Sequence, residues 1–195
     1  MNKKLLWMLL AVVLVGFIGG ASVLYNQLGH DYQMEQLATQ PMEEIPEETV
    51  ASETEPPKAP DFVALDAEGN EVKLSDYFGK PIVLNFWASW CGPCKSEMSD
   101  FNEAFLARGE QIQFLMVNMT DGARETVDRA KEFVSQNGYT FPVLYDTESN
   151  AAMTYGVYSL PTTYFIDAGG YGAAQATGAI DAETLERGIS MIMGS

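Results

Sequence analysis

The chain has few of the side chains that bind metal ions or nucleic acids. It contains two cysteines and one histidine in 195 residues, and 11 lysines and arginines against 27 acidic residues. A nucleic-acid partner is excluded because phosphates must be neutralised by Lys and Arg, and this chain has a formal charge of −16. Two cysteines also exclude a small disulfide-stapled scaffold. The acidic composition predicts a soluble, monomeric domain.

The N-terminal segment has no acidic residue and one long uncharged run. Two lysines near the start are followed by no charged side chain as far as Gly29. About 20 apolar residues span a bilayer, so we predict a membrane anchor over residues 1–30 with a transmembrane helix at about 5–28. A cleavable signal peptide is the alternative, because residues 19–21 are small enough for a cleavage site.

The lysines also predict an orientation for this anchor. Lys3 and Lys4 precede the apolar run, and basic residues mark the cytoplasmic side of a membrane helix. We therefore expect a single-pass protein of the cell membrane, with a cytoplasmic N-terminus and the rest of the chain outside. No cysteine lies near the end of the run, which excludes a lipid-modified N-terminal cysteine.

Residues 31–59 differ from the rest of the chain in composition. They are rich in Glu, Pro and Thr, are strongly acidic, and contain few large apolar side chains. Such a segment cannot bury enough apolar surface to offset the entropy lost on ordering. We predict a disordered acidic linker that holds the following domain away from the membrane.

Residues 60–195 are predicted to form one α/β domain around a mixed sheet. Apolar runs typical of buried strands alternate with helical patterns along this region. The run 82–87 is rich in β-branched and aromatic residues, as expected of a central strand. We predict helices at 93–108 and 122–138, and a last helix with Asp181 as its N-cap.

Both cysteines lie in the sequence WASWCGPCK, between a predicted strand and a predicted helix. The unpaired N–H groups and the dipole of a helix N-terminus stabilise an anion, so a thiolate there has a lowered pKa. The spacing places Cys91 at the exposed start of the helix, where it can attack a substrate disulfide. Cys94 lies about one turn inward, where it can resolve the mixed disulfide that results. The motif therefore favours a redox-active pair.

The neighbouring residues fit this chemistry better than the alternatives. Gly92 permits a tight entry into the helix, Pro93 is favoured in its first turn, and Lys95 adds positive charge nearby. A metal site needs two further ligands, and the single histidine, His30, lies beside the predicted anchor. A purely structural disulfide between Cys91 and Cys94 would close a very small loop and add little stability. We expect no metal and no cofactor beyond the Cys91–Cys94 disulfide.

Two motifs carry a resemblance to a known family. NFWASWCGPCK and GVYSLPTTYFID resemble the two signatures of the thioredoxin superfamily. The segment from Pro60 to Trp90 and the stretch MTDGARETVDRAKEFV…FPVLYD resemble the membrane-anchored TlpA/ResA-like reductases, so the resemblance covers residues 60–195. It implies a thioredoxin-like fold, with a mixed central sheet flanked by helices, an N-terminal β-hairpin extension and a central helix-strand insertion.

The resemblance also implies roles for individual residues. Pro161 would form a cis peptide bond and face the dithiol, and Leu160 would offer backbone groups to a docked substrate chain. Trp90 resembles the exposed tryptophan at the rim of thioredoxin sites, with Gly92 and Pro93 beside it, whereas Trp87 is expected in the core.

The chain departs from plain thioredoxin at the residue that assists proton transfer. Thioredoxin has a buried Asp six positions before the first cysteine, and this chain has Asn85 there, which cannot accept a proton at neutral pH. Glu97 and Asp121 are candidates for the missing base. A solvated surface position is the simpler interpretation of each carboxylate.

By this resemblance we expect an extracytoplasmic, membrane-anchored thiol-disulfide oxidoreductase that reduces disulfides of envelope or secreted proteins. A membrane electron donor of the CcdA or DsbD type would recharge it, and the substrate stays open among apocytochrome c, an assembly factor and a methionine sulfoxide reductase. A peroxiredoxin, one alternative, needs Pro and Thr where this chain has Leu84 and Ala88. The other alternative is a tethered binding or chaperone module whose dithiol is incidental.

Overall fold

A mixed seven-stranded sheet with helices on both faces is the framework of the domain. The computed structural model describes residues 57–194. The strands are β1 (Val63–Leu65), β2 (Glu71–Lys73), β3 (Ile82–Trp87), β4 (Gln113–Asn118), β5 (Val143–Tyr145), β6 (Thr162–Ile166) and β7 (Gly172–Thr177). The helices are α1 (Gly92–Arg108), α2 (Val127–Gln136), α3 (Asn150–Thr154) and α4 (Ala182–Met193), and Leu74–Tyr77 form a 3-10 turn.

The strand order is β2-β1-β5-β4-β3-β6-β7. Strands β3, β4 and β5 are parallel to one another, and all other neighbours are antiparallel. The β1–β2 hairpin forms one edge, and α2 with β5 forms an insertion after β4. These features confirm the predicted thioredoxin-like α/β fold with its hairpin extension and helix-strand insertion.

Strand β3 lies inside the sheet and is buried on both faces, as its sequence, apolar except for Asn85, predicts. On one face, residues such as Val83 and Trp87 pack against α1, α2 and α4. On the other face, Leu84 and Phe86 pack with residues of the N-terminal hairpin and α3. The segment that contains the two cysteines therefore comes shortly after the most buried strand of the domain.

The predicted helix at 122–138 is too long at its N-terminal end. Helix α2 begins at Val127, because the Thr126 side chain accepts the Arg129 amide as an N-cap. Before it, the Asp121 carboxylate accepts the amides of Ala123 and Glu125 and holds a turn instead of a helix.

The predicted N-terminal anchor, with its transmembrane helix at 5–28, lies outside the described residues, as does most of the predicted linker. In the part that is described, no helix has the length and apolar character needed to cross a membrane. Residues 57–59, which we assigned to the linker, lie against the start of β7. Lys58 pairs with Tyr171 in an antiparallel bridge, and the Ala59 amide donates to the Gly170 carbonyl at 2.7 Å.

Helix α4 packs closely on β6 because it has a glycine at the contact. Gly188 is buried, and a Cβ built on it would overlap the Phe165 ring. The same helix begins at Asp181, whose carboxylate accepts the Thr184 amide at 2.9 Å, as predicted for its N-cap.

We expect Gly188→Ala to lower the free energy of unfolding by about 1–3 kcal/mol, because the added methyl group overpacks the core at Phe165. Chemical denaturation of the oxidised protein measures this. Gly194→Ala is the matched control, since a Cβ there meets nothing closer than 3.7 Å. Equal stability of the two variants would contradict the close α4–β6 contact.

Candidate active site

The two cysteines lie where the chain leaves the sheet and enters α1. After β3, the Cys91 amide donates to the Ala88 carbonyl at 3.1 Å and closes a turn. Cys91 is then the N-cap of α1, and its Sγ accepts from the Cys94 amide at 3.2 Å. The two sulfurs form a disulfide. The structure thus places both cysteines at a helix N-terminus, one turn apart.

This position favours a negatively charged sulfur on Cys91. The first N–H groups of a helix lack intrahelical acceptors and carry partial positive charge. One of them, from Cys94, already points at the Cys91 sulfur, so it can stabilise a thiolate after reduction. Cys91 is buried in the disulfide form, contrary to the exposed helix start that the sequence predicts, whereas Gly92 and Pro93 are exposed.

The loop before β6 meets the same end of the sheet. Phe86 of β3 pairs with Thr162 of β6, so Pro161 adjoins the end of β3 that leads to Cys91. The Leu160–Pro161 peptide bond is cis, as the resemblance implies. Pro161 is buried and Leu160 is half-buried, while Tyr158 in the same loop is 98% exposed.

The two tryptophans of the motif have different environments. Trp87 is fully buried and packs against Phe133 of α2, with ring centroids 5.7 Å apart, which confirms its core position. Trp90 is 38% exposed, and the Arg124 guanidinium lies 3.6 Å from its ring centroid. The Lys95 ammonium lies 5.7 Å from the centroid of the Phe133 ring. Trp90 is therefore partly exposed directly before Cys91, and its role at the rim of the site stays a prediction.

Glu97 is buried beneath the dithiol, and its interpretation as a surface carboxylate is wrong. Its side chain is on α1 one turn beyond Cys94, and the residue is only 1% exposed. One carboxylate oxygen accepts from Asn85 Nδ2 at 2.9 Å, and the other accepts from the Ile180 amide at 3.0 Å. Asn85 Nδ2 also donates to Thr163 Oγ1 at 2.9 Å. Asn85, which stands where thioredoxin has Asp, is thus hydrogen-bonded to a buried acid from α1.

Burial raises the pKa of Glu97 to about 7, because the apolar surroundings disfavour the charged carboxylate. The hydrogen bonds from the Ile180 amide and Asn85 oppose this shift, and the charge of Asp100 adds to it. A carboxyl with a pKa near 7 can both accept and release a proton at neutral pH.

The sequence contains a signal for the burial of Glu97. Cys94, Glu97, Met98 and Phe101 recur at helical spacing and all point into the core. Asp121, the other candidate base, is exposed, and hydrogen bonds from backbone amides in its turn, first that of Glu125, lower its pKa. It therefore lies on the surface as the simpler interpretation held.

Sequence reasoning missed a second buried carboxylate. Glu125, in the loop before α2, accepts from both the amide and the hydroxyl of Ser89. Nothing in the local pattern shows this contact, because Ser89 and Glu125 are brought together by the folding of separate segments.

Peroxide reduction and metal binding are the two alternative chemistries that the sequence raised for this site. Leu84 and Ala88, which stand where a peroxiredoxin needs Pro and Thr, are both fully buried. Among residues 57–194, no group of three or more His, Cys, Asp and Glu side chains could hold a metal ion.

The chain is similar to known thiol-disulfide oxidoreductases. Residues 57–171 match the AhpC/TSA family. The thiol-disulfide oxidoreductase ResA of Geobacillus kaustophilus strain HTA426 is 37% identical over 135 residues, or 69% of this chain and 75% of ResA. A solved protein from Chlorobium tepidum, assigned as thiol:disulfide interchange protein DsbE, is 33% identical with a TM-score of 0.64, over 73% of this chain and 100% of that one. The pneumococcal exposed lipoprotein thioredoxin Etrx1 of Streptococcus pneumoniae strain TIGR4 is 31% identical with a TM-score of 0.59, over 67% and 98%.

Glu97 predicts a pH dependence of stability. An unfolded chain ionises this residue near pH 4.5, whereas the folded domain keeps its proton to about pH 7. The folded state therefore binds more protons between these values, and its free energy of unfolding falls as pH rises through this window. We expect a loss of about 3 kcal/mol, the equivalent of the pKa shift, in denaturant titrations of the oxidised protein from pH 4.5 to 7.5.

Glu97→Gln should abolish this loss, because glutamine does not titrate. Glu103→Gln, an exposed substitution on the same helix, should retain it. Parallel pH profiles for wild type and Glu97→Gln would show that Glu97 is not the titrating group.

Proposed function

The chain belongs to the AhpC/TSA family and is a ResA-like thiol-disulfide oxidoreductase, and from this premise we propose that it reduces protein disulfides outside the cytoplasm. It catalyses dithiol–disulfide exchange. The Cys91 thiolate attacks one sulfur of a substrate disulfide, which forms a mixed disulfide and releases the first substrate thiolate. Cys94 then attacks Cys91 Sγ and releases the second. The substrate gains two electrons, and the protein is left with the Cys91–Cys94 disulfide.

One observation carries this proposal: Cys91 is the N-cap of a 17-residue helix and its sulfur accepts the Cys94 amide. The interaction places the partial positive charge of the Cys94 N–H beside the attacking sulfur, and it requires the two-residue spacing of the cysteines. A structural disulfide has no need of this arrangement, whereas an attacking thiolate is stabilised by it.

We assign to Glu97 the role of the base that accepts the proton of the Cys94 thiol. Cys94 is fully buried, so its thiol must lose a proton to a nearby group before it can resolve the mixed disulfide. Glu97 is the next residue inward on the same helix face, and its pKa of about 7 lets it accept that proton. Asn85 holds the carboxylate by a hydrogen bond instead of acting as the base.

We assign substrate binding to the residues that surround the dithiol. Trp90, Gly92 and Pro93 supply apolar contact beside the dithiol, and Leu160 before cis-Pro161 supplies backbone groups for a docked chain. An extended segment that carries a disulfide could bind there by backbone hydrogen bonds, as an added strand does.

The extracytoplasmic location rests on the predicted anchor and on a relative. Residues 5–28 have the length and composition of a membrane span, with Lys3 and Lys4 before it. The pneumococcal relative is described as an exposed lipoprotein. Outside the membrane the spent disulfide needs re-reduction, so we infer a membrane electron donor of the CcdA or DsbD type, serving a monomeric enzyme.

The mechanism predicts that Cys94→Ser will trap substrates. Without the resolving thiol, the mixed disulfide through Cys91 should persist and appear as adducts on non-reducing gels that vanish after reduction. Cys91→Ser is the control and should trap nothing. If Cys94→Ser forms no adduct and the wild-type protein does not reduce insulin, the proposed exchange function is wrong.

The direction of exchange predicts a reducing potential. The Gly-Pro dipeptide between the cysteines resembles that of thioredoxin, whose potential is about −270 mV. We expect the equilibrium of the full chain with a glutathione or dithiothreitol buffer to give a value in this region. A potential near −120 mV, that of the oxidant DsbA, would instead mean that the protein oxidises thiols to disulfides.

A further inference from the structure

Glu125 is a fully buried carboxylate that the exchange mechanism does not use. One of its oxygens accepts the Ser89 amide at 2.9 Å and Asn118 Nδ2 at 2.7 Å. The other accepts the Ser89 hydroxyl at 2.6 Å. All three partners donate to the carboxylate. A glutamine could accept from the two N–H donors and donate its NH2 group to the Ser89 hydroxyl, but it would replace three hydrogen bonds to a carboxylate with weaker neutral ones. A buried charge is tolerated when its oxygens are satisfied in this way.

These bonds join two segments that are distant in sequence. Ser89 lies in the turn between β3 and Cys91, while Asn118 ends β4 and Glu125 belongs to the loop before α2. The Met119 amide also donates to the Trp87 carbonyl at 2.9 Å. Hydrogen bonds therefore hold the loop before α2, where the insertion begins, against the residues that precede Cys91.

The loop that carries Glu125 is itself held at several points. The Asp121 carboxylate accepts the Glu125 amide at 2.8 Å, and the Gly122 amide donates to the Glu125 carbonyl at 2.9 Å. The Arg129 guanidinium donates to the carbonyls of Ala123 and Arg124 at 3.0 and 2.8 Å. A carboxylate on so constrained a loop can fix the position of what it binds.

The neighbouring residue reinforces the same turn from outside. The Arg124 guanidinium stacks on the Trp90 ring at 3.6 Å, while Glu125 holds Ser89 from within. Two adjacent residues of the loop thus contact the two residues before Cys91.

We propose that Glu125 is a positioning residue for Cys91, holding the turn 88–91 so that the Cys91 sulfur faces the first N–H groups of α1. The inference deepens the proposed exchange function. Without these bonds Ser89 is free to move, the turn loosens, and the sulfur loses its fixed alignment with the Cys94 amide. The thiolate is then less stabilised and its attack is slower, with no change to the reacting groups themselves.

Glu125→Gln tests the proposal by a measurement that a structural role alone would not change. In a Cys94→Ser background, the pH dependence of Cys91 alkylation by iodoacetamide reports the pKa of its thiol. We expect that midpoint to rise by about one unit and, with Cys94 intact, kcat/KM for disulfide reduction to fall about tenfold, the effect of weakening hydrogen bonds to a charged group.

Asp61→Asn is the matched control. The Asp61 carboxylate accepts the amide of Ser75 at 2.9 Å and its hydroxyl at 2.8 Å, the same two-point hold on a serine. It lies by the β1–β2 hairpin, and β2 is four strands from β3 in the sheet. We expect this variant to change the melting temperature only, with the Cys91 midpoint and kcat/KM within twofold of wild type.

If Glu125→Gln behaves like Asp61→Asn, the proposal is overturned. If Glu125→Gln does not fold, Ser89→Ala removes the shortest of the three bonds from the other side. That variant should shift the Cys91 midpoint in the same direction, and an unchanged midpoint would then overturn the proposal. A wild-type protein that reduces no disulfide would refute the proposed function, but the alkylation midpoints would still decide the role of Glu125.

Discussion

The buried Glu97 carboxylate is the contact on which the geometry of the site depends. It lies on α1, binds Asn85 of β3, and accepts the Ile180 amide just before α4. A strand, the helix that follows it and a loop 83 residues beyond Glu97 therefore meet at one buried ionisable group. Because a buried carboxylate is stable only when its oxygens are satisfied, the helix, the strand and the loop are held in one arrangement. The close packing of Gly188 on Phe165 holds α4, the helix that begins just after Ile180, against β6.

Much of the fold follows from local patterns, and the site follows from them only in part. The largely apolar run of β3, the Gly-Pro entry to α1 and the Asp181 cap are local signals, and the structure has each of them. The start of α2 was misjudged because the Asp121 side chain competes for amides that a helix would use.

Contacts between distant segments escape this kind of reasoning. Helical spacing places Glu97 on the buried face of α1, but its partners Asn85 and Ile180 are brought to it by the sheet and by the β7–α4 loop, which no local pattern shows. The pairing of Glu125 with Ser89 has no local signal at all, since α1 and β4 lie between the two residues in sequence. The sequence does not show which residues bind the buried side chains of Glu97 and Glu125, whereas the spacing of the two cysteines by itself indicates redox chemistry.

The placement of Glu97 has a consequence for how the site is encoded in the sequence. Cys91, Cys94 and Glu97 follow one another at three-residue steps along α1, so the attacking, resolving and acidic groups occupy a single stretch of seven residues. In the thioredoxin arrangement the acid comes from the sheet instead. One heptapeptide therefore carries all three groups, while β3 and the loop before α4 each supply a hydrogen-bond donor to the acid.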